Sequence, residues 1–379
     1  MTDQLTQLRD RIDAIDEQLQ TLINERAACA KQVGHIKQQQ ALTEAGVPTL
    51  DQADPDVLED KFYRPEREAQ VLRRVIERNQ NMQGHLSDET MVRFFREIMS
   101  ACLALEKPLR IAYLGPTGTY TQAAALKHFG SAITALPMTS IDAVFLDVER
   151  QAVDFGVVPV ENSTEGVVSY TLDRLMNSSL LICGEVQLRI NHHLLHQSGD
   201  AKQIKTIVGH QQALAQCRQW LNDHFPQVET QAVSSNAKAA ELAVDNPHMA
   251  AIASAAAAEI YQLHVIADHI EDKPDNTTRF LIIGRHPVPP SGQDKTSIML
   301  AAKNKPGALA ALLKPLGDNE QMMTRIESRP SGQQAWEYLF FIDVEGHQED
   351  RALARALRAL EQEAAVMRIL GSYPRFLLA

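Results

Sequence analysis

Two cations stand where an amphipathic pattern leaves no ordinary place for them. Apolar residues fall at Leu5, Leu8, Ile12, Ile15, Leu19 and Leu22, a heptad-like spacing that continues to positions 26, 29, 33 and 36. Cys29, Val33 and Ile36 fit that continuation, but position 26 is an arginine. A guanidinium on a buried stripe is costly without an anion beside it. A core carboxylate of the same fold would satisfy Arg26, and so would a bound anionic ligand. Lys37 tilts the balance to the ligand: at ~100° per residue it lies about 20° from Arg26 after three full turns, so both project from one face. Arg9 points roughly 100° away from Arg26, so if it joins the same pocket a second chain is the better source. Glu68 shares a helical face with Val71, Leu72 and Val75, and Glu106 ends the stripe Met91, Phe95, Ile98 and Cys102. Each acid alone reads as a solvated helix end. Together with Arg26 and Lys37 they outline a polar pocket inside an all-helical bundle.

The elements that must hold these residues divide the chain by texture. Its 379 residues correspond to two or three domains at ~150 residues each. Residues 1–107 carry almost no strand signal, 110–285 alternate β-branched and Ala-rich runs, and 296–379 read strand, helix, strand, strand, helix, strand. Pro108 marks one join and HPVPPSGQD (286–294) reads as a linker. A helix over 5–37 would be ~50 Å long, and with one apolar seam it needs a partner, commonly a second copy of itself. The 38–62 stretch is longer than ordinary connections and reads as a surface insertion or a lid. The net charge of −11 disfavours general binding of nucleic acid or anionic membrane. Cys29, Cys102, Cys183 and Cys217 show no zinc-ligand spacing and read as reduced thiols, mostly buried. The polar start lacks a signal-peptide core, and no apolar run reaches the ~20 residues of a membrane span, so a cytoplasmic enzyme is expected.

Further polar loops fall at strand ends. GPTGTYT (115–121) follows strand IAYL and opens a helix, offering amides and hydroxyls around Gly118, Thr119, Tyr120 and Thr121 to an anion. VPVENSTEG (158–166) follows strand FGVV, and its Asn162, Ser163 and Thr164, before Gly166, bind polar groups without adding charge. TTRF (277–280) reads by itself as a loop entering strand FLIIG. In the tail, strands at 297–302, 322–327, 339–344 and 369–372 with helices near 306–317 and 350–364 give a ferredoxin-like βαββαβ order. GALA (307–310) puts small residues at a strand–helix turn for close backbone approach, and ESRP (327–330) puts polar groups at a strand end.

LRDRID (8–13), NERAACAKQVGHIK (24–37) and FYRPEREAQVL (62–72) resemble the helical chorismate mutase domain. RIAYLGPTGTYTQAAA (110–125), FGVVPVENSTEGVVSYTLDRL (155–175), ICGEVQLRINHHLL (182–195), HQQALAQCRQWL (210–221) and NTTRFLIIG (276–284) resemble prephenate dehydratase. KPGALAALLKPL (305–316) and RIESRP (325–330) resemble an ACT regulatory domain. The order and near-complete coverage resemble the bifunctional chorismate mutase/prephenate dehydratase family of phenylalanine biosynthesis. The resemblance implies a multidomain α plus α/β chain: a dimerising helical mutase domain at 1–107, a two-lobed, periplasmic-binding-protein-like dehydratase domain at 108–286 and an ACT domain at 295–379.

It also implies roles. Chorismate would rearrange to prephenate by a pericyclic step that needs no cofactor, only a rigid hold on a dianion and stabilisation of the ether oxygen. Arg26 and the partner chain's copy of Arg9 would clamp carboxylates, Lys37 would donate to a carboxylate and the ether oxygen, Glu68 would receive the ring hydroxyl, and Arg67 would line the pocket. Glu106 stands where enterobacterial members carry Gln. An acid on an apolar stripe is expected to act protonated, with mutase activity declining toward alkaline pH. Cys102 replaces a Ser and weakens a hydroxyl contact, and Arg64 replaces an Asp whose contact is through the main chain. Prephenate would then lose its ring carboxylate and hydroxyl, giving phenylpyruvate. Thr278 would be the donor to the departing hydroxide, with Thr277 the fallback and Phe280 in the same motif. Arg279 would brace the site or pair with a carboxylate. Glu161 would brace its loop, since it would repel a dianion. His210, in GHQ where relatives read SHP, is a binding or a structural histidine. Phenylalanine would bind at an interface between ACT domains through Gly307, Ala308, Leu309, Glu327, Ser328, Arg329 and Pro330, in a homodimer or a dimer of dimers. Two other readings stay open: a dehydratase whose helical domain only dimerises, and a non-catalytic amino-acid sensor.

Overall fold

The computed structural model describes residues 2–45, 63–302, 306–330 and 338–377, so most of the expected surface insertion or lid (46–62) lies outside the described residues. The chain divides into an N-terminal helical unit and a larger unit.

In the helical unit, α1 runs Thr2–Ala45, beyond both expected ends, because no Pro or Gly cap interrupts the pattern near 37. Helix α2 is Pro65–Asn81, with Pro in its first turn and an extended Arg64 before it. Helix α3 is Asp88–Ala104, capped by the Ser87 hydroxyl, which accepts from the Thr90 amide. Asn79 closes the intervening turn by donating to Asp88 Oδ1 at 2.7 Å and to the Leu86 carbonyl at 3.0 Å. Helix α1 packs on α3 through its C-terminal half. The stripe it buries is not the heptad seam: Ala27, Ala30, Gly34 and Lys37 are buried or half-buried, while Cys29, Val33 and Ile36 are exposed. Gly34 is required there, since a Cβ would meet Glu106 Cγ at 2.9 Å.

The larger unit opens with a first α/β lobe: β1 (Arg110–Leu114), α4 (Tyr120–Phe129), β2 (Thr134–Met138), α5 (Ile141–Glu149), β3 (Phe155–Asn162), β4 (Gly166–Val167), α6 (Ser169–Asn177) and β5 (Leu181–Arg189). The chain then builds a second lobe from β6 (His193–His196), β7 (Thr206–His210), α7 (Gln211–Gln216), α8 (Arg218–His224), β8 (Glu229–Val233), α9 (Asn236–Val244), β9 (Met249–Ala253), α10 (Ala255–Tyr261) and β10 (His264–Ala267). It returns through β11 (Thr277–Gly284), which inserts between β3 and β5, giving the order β2-β1-β3-β11-β5. The second sheet runs β10-β6-β9-β7-β8. TTRF is therefore the start of a central strand rather than a loop. Its Thr278 pairs with Asn162 and its Arg279 with Glu161, placing the NST loop and TTRF at adjoining strand ends in the middle of the sheet.

The tail follows as β12 (Asp294–Ala301), α11 (Ala308–Asp318), β13 (Met323–Pro330), β14 (Tyr338–Glu345), α12 (Arg351–Glu363) and β15 (Val366–Pro374), the expected βαββαβ order. Its antiparallel sheet is β13-β14-β12-β15. One face covers α11 and α12 around Leu312, Leu316, Leu353 and Leu360. The other packs on the first lobe: Met299, Phe341, Leu370 and Tyr373 join the cluster containing Leu172, Leu175, Ile182 and Leu281. Gly371 allows this approach, because a Cβ there would overlap the Ile182 backbone. Arg368 donates to the Leu175 and Met176 carbonyls at 2.7 and 3.2 Å. Among the described residues, no helix is long and apolar enough to cross a membrane.

Candidate functional site

A cleft of about 990 Å3 lies in the larger unit, lined from both lobes. The first lobe contributes the loop after β1, the β3 end and the start of β11; the second contributes His210, Gln212, Ser235 and Tyr261. Gly118, Thr119, Tyr120 and Thr121 lie on its wall, as do Asn162, Gly166, His210, Thr278 and Phe280. Among the described lining residues there is no lysine or arginine, and the one carboxylate is Glu165.

A chain of amides runs across the floor. Asn162 Nδ2 donates to Thr278 Oγ1 and to Asn276 Oδ1, both at 2.8 Å. Asn162 Oδ1 accepts from the Thr164 and Glu165 amides, each at 3.0 Å, and from the Thr164 hydroxyl at 2.7 Å, which fixes the side-chain orientation. Asn276 Nδ2 donates to Gln216 Oε1 at 3.0 Å, and Gln216 Nε2 donates to Thr164 Oγ1 at 3.2 Å. His192 Nε2 donates to the same Gln216 oxygen at 2.9 Å, which leaves Nδ1 3.1 Å from the Tyr120 hydroxyl. The Tyr120 phenol also reaches the Asn191 carbonyl, and burial, with Cys217 and Glu271 nearby, pushes it well above its ordinary range. Thr278 thus accepts from Asn162 while its own O–H remains to donate into the cleft. A hydroxyl that accepts a hydrogen bond is a stronger donor.

Several expected site residues do other work. Ser163 accepts from the Thr277 amide at 2.9 Å, and Thr277 donates to the Asp275 carbonyl at 3.3 Å, so this pair braces the strand start away from the cleft wall. Thr164 orients Asn162 and faces a smaller adjoining pocket with Glu165, Gln216 and Glu271. The Gly118 amide is taken by Gln122 Oε1 at 2.7 Å, so it is not offered to an anion. Gly118 is needed because its φ is +89° and Tyr261 and Ala257 pack against it. The second lobe grips this loop: Tyr261 donates to the Thr117 carbonyl and Ser254 to the Gly118 carbonyl, each at 3.1 Å. His210 caps α7, its Nδ1 accepting from the Gln212 amide at 3.3 Å, as well as facing the cleft. Arg279 turns away from the cleft entirely. It donates to Glu185 at 2.7 Å, Asp343 at 2.6 Å and Tyr373 at 3.0 Å, which excludes pairing with a substrate carboxylate there. Asn276, Gln216 and His192 escaped the sequence reading although NTTRF and HQQALAQC contain two of them; uncharged amides at non-periodic spacing carry no signal by themselves.

Burial holds the His192 and His193 imidazoles below their ordinary value of 6.5. The unfolded chain therefore binds protons that the fold refuses just below that value, and stability falls as pH drops through this window. The thermal midpoint of the dehydratase transition is expected to decrease between about pH 7 and about pH 5, and His192→Gln to flatten the slope.

In the helical unit Lys37 Nζ lies 3.2 Å from Glu106 Oε2, and the Glu106 side chain is only 8% exposed. The apolar stripe does bury Glu106, and it does so beside the Lys37 ammonium rather than alone. Arg26 is half-buried on the same helix as Lys37, and Cys102 is buried on α3. Arg9 and Arg64 are exposed; on the first turns of α2, Arg67 is exposed and Glu68 half-buried. Of the thiols, Cys29 is exposed, the other three are buried, and none of the four is in a disulfide.

On the regulatory sheet, Gly307 begins α11 with φ +76°. A Cβ there would meet nothing within 4 Å among the described residues, so backbone conformation rather than close approach requires the glycine. Ala308 and Leu309 follow on the first turn. Of ESRP, Glu327 is half-buried, while Ser328 and Pro330 are exposed. Arg329 is engaged with α6, donating to Asp173 at 2.8 Å and to Ser169 at 2.9 Å, rather than held out for a ligand.

The fold and cleft define a two-lobed α/β enzyme joined to a helical domain and a ferredoxin-like sheet. Residues 8–107 match chorismate mutase type II, 111–288 match prephenate dehydratase and 296–362 match the ACT domain. The chain is 52% identical over 377 residues to the bifunctional chorismate mutase/prephenate dehydratase of Pseudomonas aeruginosa, covering 99% of each. To the Aquifex aeolicus protein of the same description it is 41% identical, again over 99% of each chain. Among solved structures, prephenate dehydratase of Arthrobacter aurescens in complex with L-Phe aligns with a TM-score of 0.66 at 36% identity, over 70% of this chain and 90% of that one. GqqA, described as a quorum quenching acylase, aligns at 0.65 and 32% identity, over 70% and 98%. The chain belongs to the bifunctional chorismate mutase/prephenate dehydratase family.

Proposed function

We propose that this chain converts chorismate to prephenate in residues 1–107 and prephenate to phenylpyruvate in residues 108–286, with phenylalanine acting as effector through residues 295–379. The observation that carries the dehydratase reading is the Asn162–Thr278 hydrogen bond, 2.8 Å long, at the floor of a cleft whose described lining has no lysine or arginine. In the reaction the bond from the ring to its carboxylate breaks, its electron pair aromatises the ring, and the C4 hydroxyl leaves as hydroxide that takes a proton to become water. The Thr278 O–H donates to that oxygen as charge gathers on it. The departing carboxylate becomes neutral CO2, so a fixed cation on it would stabilise substrate more than transition state. Neutral hydroxyls and amides avoid that penalty.

For the mutase, Lys37 and Arg26 supply the cationic face, with Glu68 for the ring hydroxyl, and the pericyclic step requires no covalent catalyst. Leu5, Leu8, Ile12, Ile15, Leu19 and Leu22 are 46–60% exposed on a single chain. A second copy covering this seam supports a homodimer and brings in the partner chain's copy of Arg9. Cytoplasmic location fits a catalyst of small soluble acids.

The test supplies chorismate to the pure protein and follows prephenate and phenylpyruvate together. Prephenate should rise first and phenylpyruvate replace it. Phenylpyruvate only from added prephenate would leave a dehydratase with a silent helical domain, and neither product would leave a sensor.

A further inference from the structure

The strands that carry Thr278 and Asn162 have two faces. On β11, Thr278 and Phe280 look into the cleft, while Arg279 and Leu281 look to the regulatory sheet. On β3, Asn162 bonds Thr278, and its neighbour Glu161 pairs with Arg325 of β13, Nε to Oε2 2.8 Å. Arg279, beside Thr278, is held by Asp343 of β14, by Tyr373 of β15 and by Glu185 of β5. Lys295 of β12 closes the cluster with both Glu185 oxygens at 2.8 Å. Burial pushes the Asp343 carboxyl up, but Arg279 and Ser297 outweigh it and hold the group below its ordinary range. Thr278 and Asn162 thus each have a charged neighbour, one position away, gripped by the regulatory sheet. Arg325 stands two residues before Glu327, so one strand carries both a grip on the dehydratase and part of the effector motif.

We propose that the Arg325–Glu161 and Asp343–Arg279 pairs are positioning contacts of the dehydratase: they hold the ends of β3 and β11 in the register that puts Asn162 on Thr278, and effector occupancy reaches the reacting atoms through them. A pleated strand makes this direct, since rotation that moves one side chain out of line carries its neighbour on the opposite face with it. A misplacement of about 1 Å at such a donor is enough to cost on the order of 10²-fold in rate. The inference rests on the reading of Thr278 given above.

The experiment compares Arg325→Gln, Arg325→Lys and the charge exchange Glu161→Arg with Arg325→Glu in the full chain. It measures dehydratase kcat and KM, inhibition by phenylalanine, phenylalanine binding by calorimetry, and mutase activity as the control for folding. In Arg325→Gln dehydratase kcat should fall about tenfold with KM changed less than about twofold, and inhibition should weaken while phenylalanine still binds. Arg325→Lys and the exchange should restore most of the kcat. Unchanged kcat and inhibition in Arg325→Gln overturn the proposal, as does a loss that neither the lysine nor the exchange repairs. Thr278→Val is assayed alongside: its activity surviving would refute the Thr278 reading, whereas its loss beside a normal Arg325→Gln refutes only the coupling.

Discussion

Thr278→Val should lower dehydratase kcat by about 10²–10³-fold while leaving mutase turnover unchanged. The valine nearly preserves shape and removes one hydroxyl. One Asn162 Nδ2–H loses its Thr278 acceptor while the other keeps Asn276 at 2.8 Å, so part of any stability loss belongs to that unpaired donor and is read separately from kcat. The effect should fall on kcat more than on KM, because the O–H acts on charge that exists only as hydroxide departs. Thr278→Ser should recover most of the rate. Steady-state assays on supplied prephenate measure this, and a kcat within about tenfold of wild type for Thr278→Val would remove Thr278 from the reaction.

Lys37→Ala should lower mutase kcat/KM by about 10²–10³-fold, with prephenate conversion intact. Lys37 is the described cation whose placement the fold fixes directly, through Glu106 at 3.2 Å. That ion pair also gives the opposite arm of the experiment. A substrate carboxylate must compete with Glu106 for the ammonium, so Glu106→Gln should strengthen chorismate binding and lower the mutase KM. An unchanged KM for Glu106→Gln would detach this residue from the substrate site. Equal mutase loss in Lys37→Ala and Glu106→Ala would point to a shared structural role.

The seam of α1 shows what the sequence could and could not say. Its spacing identified a long helix with one apolar seam, and that seam is exposed on the single chain, because apolar periodicity reports which residues avoid water. It did not report which stripe packs within the chain, since Ala27, Ala30 and Gly34 are too small to register as a hydrophobic face. The βαββαβ tail was legible for the same reason of periodicity, although β15 starts at Val366, earlier than its apolar core, because it pairs with β12 along its length. In the cleft, Asn162, Thr278 and Phe280 were recognisable from motif. The direction of each side chain was not: Arg279 and Thr278 differ by one position and face opposite ways once TTRF is a strand. Register across β3 and β11 decides that, and it depends on residues more than a hundred positions apart.

The absence of lysine and arginine from the described cleft wall has a bearing on ionic strength. A chain of net charge −11 repels an incoming dianion at long range, and the described lining of this cleft offers no lysine or arginine to reverse the field. Added electrolyte shortens that repulsion and should quicken prephenate capture. With Lys37 and Arg26 as the proposed chorismate clamp, the same electrolyte should slow chorismate capture by the helical unit.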